Sequence, residues 1–302
     1  MILSCGEALI DMLPRTSLAG EPCFAPYAGG AVMNTAIALA RLGSASSFLT
    51  GLSSDLMGDV LRRTLAASNV NLDHAVVSDR PTTLAFVSLT NGHASYCFYD
   101  ENTAGRMMTP ADMPALPPSV KAYFSGGIWL AVEPCGTALE ALMLREAAGR
   151  VTMIDPNVRP GFVRDRAAYT ARIDRMIGVS DIVKLSDEDS EWLYGRTDPQ
   201  AILAKGAKVV LVTEGSKGAT AHTLRGSVHV AAPQITVVDT VGAGDTFNAG
   251  FLASLDRNGL LTKAQVAALS DDALHAALVL GTRAAAITCS RAGANPPWAH
   301  EL

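Results

Sequence analysis

The 302-residue sequence predicts an α/β fold: a central, mostly parallel sheet with helices on both faces, and a small separate piece of β-structure. Three observations carry this expectation. Short, continuously apolar runs alternate with amphipathic helical patterns along most of the chain, the signature of strands buried between covering helices. In two regions strand-like runs follow one another without a helix between them. Near the C-terminal third, a glycine-rich turn leads directly into an apolar helix.

The main-sheet strands are expected at Ile2–Cys5, Ser47–Gly51, Ala122–Ser125, Thr152–Asp155, Ile182–Leu185 and Val209–Thr213. Helical periodicity places helices near Val32–Leu42, Leu56–Ala67, Thr137–Ala148, Ala167–Gly178 and Asp187–Tyr194. The rhythm breaks at Leu9–Leu13 with Cys23–Tyr27, and at Leu84–Thr90 with Ala94–Tyr99. Asn91-Gly92 joins the second pair and is a strong hairpin signal. These pieces predict a small antiparallel sheet standing off the main body as a lid, over about residues 9–27 and 84–100.

Composition narrows the classes of partner. With 49% apolar and 18% charged residues the chain can bury a large core, and no linker or repeat divides residues 1–302, so one domain is expected. The 24 basic and 29 acidic residues give a net charge of −5 without a Lys/Arg cluster, which argues against nucleic acid. Five cysteines, an odd number without a CxxC pair, read as reduced thiols of a cytoplasmic protein. The N-terminal residues lack the pattern of a signal peptide. The apolar stretch Ala273 to Cys289 is broken by His275 and Arg283, so it reads as a buried helix and not a membrane span.

The chemistry concentrates in Asp239-Thr240-Val241-Gly242-Ala243-Gly244-Asp245. Apolar residues recur afterwards at Phe247, Phe251, Leu252 and Leu255, one face of a helix. Small residues therefore stand where a loop enters a helix, and unpaired N–H groups at the positive end of the dipole form an anion site. Asp245 could serve only as a helix cap, but a cap does not require Gly-Ala-Gly before it. A carboxylate beside an anion hole suits phosphoryl transfer, in which one group takes a hydroxyl proton while amides hold developing charge. No G-x-x-x-x-G-K-[ST] run is present, so this is not a Walker-type phosphate loop.

Asp239 to Asp245 resembles the C-terminal signature of the ribokinase-like (PfkB) carbohydrate kinases. That resemblance implies a ribokinase-like three-layer fold and an ATP-dependent kinase acting on a primary hydroxyl of a small sugar. It makes Asp245 the base and Gly242, Ala243 and Gly244 the anion hole. The runs Gly6-Glu7-Ala8-Leu9-Ile10-Asp11 and Gly29-Gly30-Ala31-Val32-Met33-Asn34 resemble the family's sugar-binding segments, so Asp11, Gly29, Gly30 and Asn34 would hold the sugar. Read alone, Gly29-Gly30 is equally a tight turn and Asn34 a local cap. Gly51 to Gly58 also matches, and reads as structural, with Asp55 capping a helix.

Asp155-Pro156-Asn157-Val158-Arg159 resembles the Asp-x-Asn-x-Arg run of fructokinases and 2-keto-3-deoxygluconate kinases, implying substrate roles for Asn157 and Arg159. The alternative for Arg159 is a surface salt bridge. Where family members carry Asn-x-x-Glu, this chain has Ser186 and Asp189; the Lys184-x-Ser186 pattern fits the fructokinase branch. Asp189 would reach Mg²⁺ through water, although the same residues equally read as an N-cap and its partner. Thr213, Gly215 and Gly218 resemble the turn on the nucleotide side, and Arg291 to Ala294 resembles the loop that encloses a monovalent cation, possible K⁺, with Asp239 and Val241.

Fructose is the expected substrate, with 2-keto-3-deoxygluconate, ribose and nucleosides as alternatives and a non-catalytic sugar or nucleotide sensor as the contrasting class. The lid run Phe98-Tyr99-Asp100 to Ala104-Gly105 resembles the fructokinase Phe-Tyr-Arg…Ala-Asp stretch and places Phe98 at the sugar, with two departures: Asp100 for Arg and Gly105 for Asp. Facing the pocket, Asp100 would repel a carboxylate-bearing substrate. Exposed lid edges suggest a homodimer paired through the lid strands.

Overall fold

The computed structural model describes residues 1–90 and 93–302, with side chains described except over 88–96. The turn expected at Asn91-Gly92 lies outside the described residues. The chain opens with β1 (Ile2–Cys5), β2 (Leu9–Thr16), β3 (Pro22–Gly29), α1 (Ala31–Arg41), β4 (Ser46–Leu49), β5 (Gly51–Ser53) and α2 (Leu56–Ala67). Next come β6 (Val76–Ser78), β7 (Leu84–Thr90), β8 (His93–Tyr99), β9 (Ala122–Gly126), α3 (Cys135–Glu146), β10 (Val151–Asp155), α4 (Arg166–Ile177), β11 (Ile182–Ser186) and α5 (Asp187–Tyr194). It ends with α6 (Pro199–Ala204), β12 (Val209–Thr213), β13 (Ala219–Thr223), β14 (Gly226–Val230), α7 (Ala243–Arg257), α8 (Lys263–Ala267) and α9 (Asp271–Cys289).

Eight strands form the main sheet in the order β14-β13-β12-β11-β10-β9-β1-β4. From β12 to β4 every neighbouring pair is parallel, while β13 and β14 close one edge as antiparallel hairpin strands. Side chains alternate between the faces with the strand period of two. Ile2, Phe124, Met153, Ile182 and Leu211 pack with α1, α2, α7 and α9 in one buried cluster. Their sequence neighbours Leu3, Tyr123, Ile154, Val183 and Val210 pack with α3, α4, α5 and α6 in another. This gives the expected three layers.

The lid is a second sheet of order β3-β2-β7-β8. It is mixed and not purely antiparallel: β2 and β7 pair in parallel, because they belong to two separate excursions from the main body. The strand expected at Ser47–Gly51 also divides. β4 joins β1 in the main sheet, then the chain turns at Thr50 and β5 pairs with β6 in a two-stranded sheet. Gly51 allows this turn because a Cβ there would stand 2.3 Å from the Ala104 carbonyl oxygen. Asp55 caps α2 as expected, accepting from the Gly58 N–H at 2.7 Å. Among the described residues no helix is long and apolar enough to cross a membrane, and all five cysteines are unpaired with one another.

Candidate active site

The site lies at the carboxyl ends of the main-sheet strands, where the lid and the start of α7 meet. Gly242 is the N-cap of α7 in the left-handed conformation (φ 79°), and no side chain caps this helix among the described residues. A Cβ at Gly242 would stand 2.7 Å from the Ala294 methyl, so both conformation and space require glycine. Ala243 and Gly244 then line a cavity of about 370 Å³ whose other walls include Thr213, Gly215 and Gly218. The Lys184 ammonium stands 3.4 Å from the place a Gly244 Cβ would occupy. A helix N-terminus free of side-chain caps, backed by a lysine, is a strong anion cradle.

Asp245 follows in the first turn of α7 and is 6% exposed. Its Oδ2 accepts a hydrogen bond of 2.9 Å from Asn34 Nδ2, and its carbonyl accepts from Thr35 Oγ1 at 3.2 Å. Burial pushes the carboxyl up to about 6, with Asp155 adding to the rise and Asn34, Lys184 and Arg159 opposing it. Lys184, 3% exposed, is anchored by Asp155 Oδ2 at 3.0 Å. Burial works against its ammonium, but the carboxylates of Asp155, Asp189 and Asp245 outweigh that and hold its pKa above the ordinary lysine value. Asn248 donates to the same Asp155 oxygen at 2.7 Å. Thus α1, α7, β10 and β11 are tied together by buried polar side chains directly behind the cradle.

On the sugar side, Asp11 on β2 is pushed up to about 6 by burial. A Cβ on Gly29 would stand 2.3 Å from Asp11 Oδ2, so the first glycine of the pair lets this carboxylate lie against the end of β3. Gly30 (φ 113°) caps α1, and a Cβ there would stand 2.7 Å from the Glu7 carbonyl oxygen. Strand register puts Asp11 opposite Ala85 and Ala85 opposite Phe98, so Asp11 and Phe98 share one face of the lid. Phe98 stacks edge-on against Phe162, ring centres 4.4 Å apart.

Asn157 follows β10 with φ 45°, its N–H donating to Asp155 Oδ1 at 3.2 Å. Arg159 donates to the carbonyls of Val158 (3.1 Å) and Asn157 (3.5 Å). Among the described residues it makes no salt bridge, which sets aside the surface ion-pair alternative, and its charge acts on Asp245 and Glu7.

At the nucleotide side, Ser186 and Asp189 form a capping box on α5. Asp189 Oδ2 accepts from Ser186 N at 3.1 Å and Oδ1 from Val158 N at 2.8 Å, so both oxygens already hold backbone in place. The Asp239 carboxylate accepts from the N–H groups of Val241 (3.0 Å) and Gly293 (2.9 Å), which brings together the two loops expected around a monovalent cation. No cluster of three or more His, Cys, Asp or Glu suited to a metal occurs among the described residues.

The two lid departures have structural accounts. Asp100 is 4% exposed, accepts from Thr83 Oγ1 at 3.1 Å and pairs with Arg106 at 2.9 Å, so it is not a free carboxylate facing the pocket. A Cβ on Gly105 would stand 1.7 Å from the Trp129 ring, which fills the space an aspartate would need. Sequence reasoning named neither Arg106 nor Trp129, and it passed over Asp155, Asn248 and Thr35 as site members. Asn248, one helical turn after Asp245, was the one with a local signal.

Residues 1–301 match the family model described as pfkB family carbohydrate kinase. The chain belongs to the PfkB family of carbohydrate kinases. It is 55% identical over 279 residues to a fructokinase of Rhizobium leguminosarum bv. trifolii, covering 91% of this chain and 86% of the relative. Its structure is similar to that of a Xylella fastidiosa fructokinase with bound ATP (TM-score 0.88, 28% identity, 97% of this chain and 93% of the other). It is also similar to a double-mutant fructokinase of Vibrio cholerae O395 bound to fructose, ADP and potassium ion (TM-score 0.84, 25% identity, 97% and 93%). The fold is therefore ribokinase-like, as the sequence motifs implied.

Proposed function

We propose that this chain is an ATP-dependent fructokinase that phosphorylates a primary hydroxyl of fructose. The observation that carries the reading is the buried Asp245 carboxylate, aligned by Asn34 in the first turn of α7 beside the Gly242–Gly244 cradle and Lys184. The sugar lies under the lid face that carries Asp11 and Phe98, against Gly29, Gly30 and Asn34, with Asn157 and Arg159 at one side. ATP lies along the cavity lined by Thr213, Gly215 and Gly218, its phosphates toward α7. Asp245 takes the hydroxyl proton as the sugar oxygen forms its bond to the γ-phosphorus and the bond to the β-phosphate oxygen breaks. Lys184 and the amides of Ala243 and Gly244 stabilise the charge that develops.

Ser186 and Lys184 border the phosphates, and Asp189, its oxygens already engaged, would reach Mg²⁺ only through water, the ion supplying positive charge to the phosphates. The clamp of Asp239 on the N–H groups of Val241 and Gly293 supports a potassium site between these two loops. Phe24, Phe86 and Tyr99 stack edge-to-face on the outer lid surface, with Phe24 and Tyr99 47% and 61% exposed, which supports a lid-to-lid homodimer of a cytoplasmic enzyme. ATP consumption across fructose, 2-keto-3-deoxygluconate, ribose, adenosine and inosine tests the assignment. Fructose should give the highest kcat/KM; no turnover on any of them would instead establish a non-catalytic sensor.

A further inference from the structure

Glu7 lies in the turn between β1 and β2 and is 2% exposed. Such a residue is rarely buried without a partner for its charge. Its Oε1 accepts from the Ala31 N–H at 2.9 Å, and its own carbonyl accepts from the Met33 N–H at 3.3 Å. These donors belong to the first turn of α1, whose N-cap is Gly30, with no side-chain cap and no acidic residue in its first turn. Glu7 therefore caps α1 from across the fold. Its second oxygen, Oε2, is buried without a hydrogen-bond partner, in a notch kept open by Gly127, where a Cβ would stand 2.0 Å away.

The helix that Glu7 caps is the one that aligns Asp245, through Asn34 Nδ2 and Thr35 Oγ1. A single carboxyl thus fixes the end of α1 from which the orienting hydrogen bonds reach Asp245. We propose that Glu7 is a positioning residue for the catalytic base, holding Asn34 in register through the first turn of α1. This rests on Asp245 being the base.

Burial, with a smaller contribution from Asp245, brings the Glu7 carboxyl up to about 7, opposed by its bonds to backbone N–H and by Arg159. Its charge in turn raises Cys135 on α3 and Tyr169 on α4. The Asp245 carboxyl rises only to about 6, so Glu7 is largely neutral over the range in which Asp245 ionises, and its influence on the base runs through α1.

The experiment compares kcat/KM for fructose against pH in wild type, Glu7→Gln and Glu7→Ala. Glu7→Gln keeps an acceptor for the Ala31 N–H and should keep most of the wild-type kcat, with the acid limb unmoved. Glu7→Ala removes the cap and should lower kcat about tenfold or more across the range, with Glu7→Gln recovering much of that loss. A Glu7→Ala kcat equal to that of wild type, or a Glu7→Gln kcat as low as that of Glu7→Ala, would overturn the proposal. If neither variant folds, carboxyl ¹³C titration of wild type against Asp245→Asn decides: the Glu7 midpoint should drop in Asp245→Asn, as expected if the two carboxyls face one another across α1, and equal midpoints overturn the proposal. Near-normal turnover in Asp245→Asn is a different result, which removes the assignment of the base.

Discussion

The two ends of the site are built differently. At the phosphate end, Asp155 joins Lys184 and Asn248, Asn34 joins Asp245, and all of these side chains are buried on the main sheet or its packed helices. At the sugar end, Asp11 and Phe98 stand on a four-stranded lid whose other face exposes Phe24 and Tyr99. At the phosphate end the Lys184–Asp155 pair cannot be altered singly without stranding a buried charge. The lid is held by side-chain packing and tolerates exchange: where the resemblance calls for Arg and Asp, Asp100 pairs with Arg106 and Gly105 yields its space to Trp129. On the proposed function, reaction chemistry would be fixed in the sheet and substrate choice left to the lid.

Substitutions sharpen this contrast. Asp245→Asn should reduce kcat by about 10²–10⁴-fold in a steady-state assay if the carboxylate is a general base. The same change should stabilise the fold at neutral pH. A carboxyl raised in the folded state contributes stability below its unfolded pKa and loses it as pH rises through the folded value. The rise from 3.8 to about 6 corresponds to roughly 3 kcal/mol, part of which the amide should recover as a higher Tm at pH 7.5. Loss of stability together with activity would show that Asp245 is a structural cap.

Lys184→Met should come next. It strands Asp155 in the interior, costing about 3–5 kcal/mol by denaturant unfolding, and lowers kcat by about 10²-fold or more through loss of charge beside Gly244. Phe98→Ala should raise the KM for fructose roughly tenfold with a smaller effect on kcat, as expected of a lid contact. A fall in kcat as large as that of Lys184→Met would erase the distinction between the two ends. The smallest effect is expected for Ser186→Ala, which removes one side of the capping box on α5 and should cost about 1 kcal/mol of stability.

Much of this organisation was legible in the sequence, for physical reasons. The main-sheet strands are continuous apolar runs because both faces are covered, and the uncapped turn into α7 is a contiguous Gly-Ala-Gly-Asp. Lys184, Asp155 and Asn248 were harder: their contacts join residues up to 93 apart, so only Lys184 stood out, by family resemblance. The parallel pairing of β2 with β7 was missed because each reads locally as half of a hairpin. The pairing of Asp100 was not legible because its partner Arg106 lies beyond the run that drew attention. Glu7 sat in plain view within Gly6 to Asp11, but nothing local shows that its carboxyl caps a helix 24 residues away.

Proton transfer from the sugar to a buried, ionised Asp245 is read by the pH dependence of kcat/KM for fructose. An acid limb with its midpoint near 6 is expected, below which the rate falls about tenfold per pH unit, the slope of a single ionisation. A profile that remains flat down to the ordinary aspartate value of 3.8 would rule Asp245 out as the base.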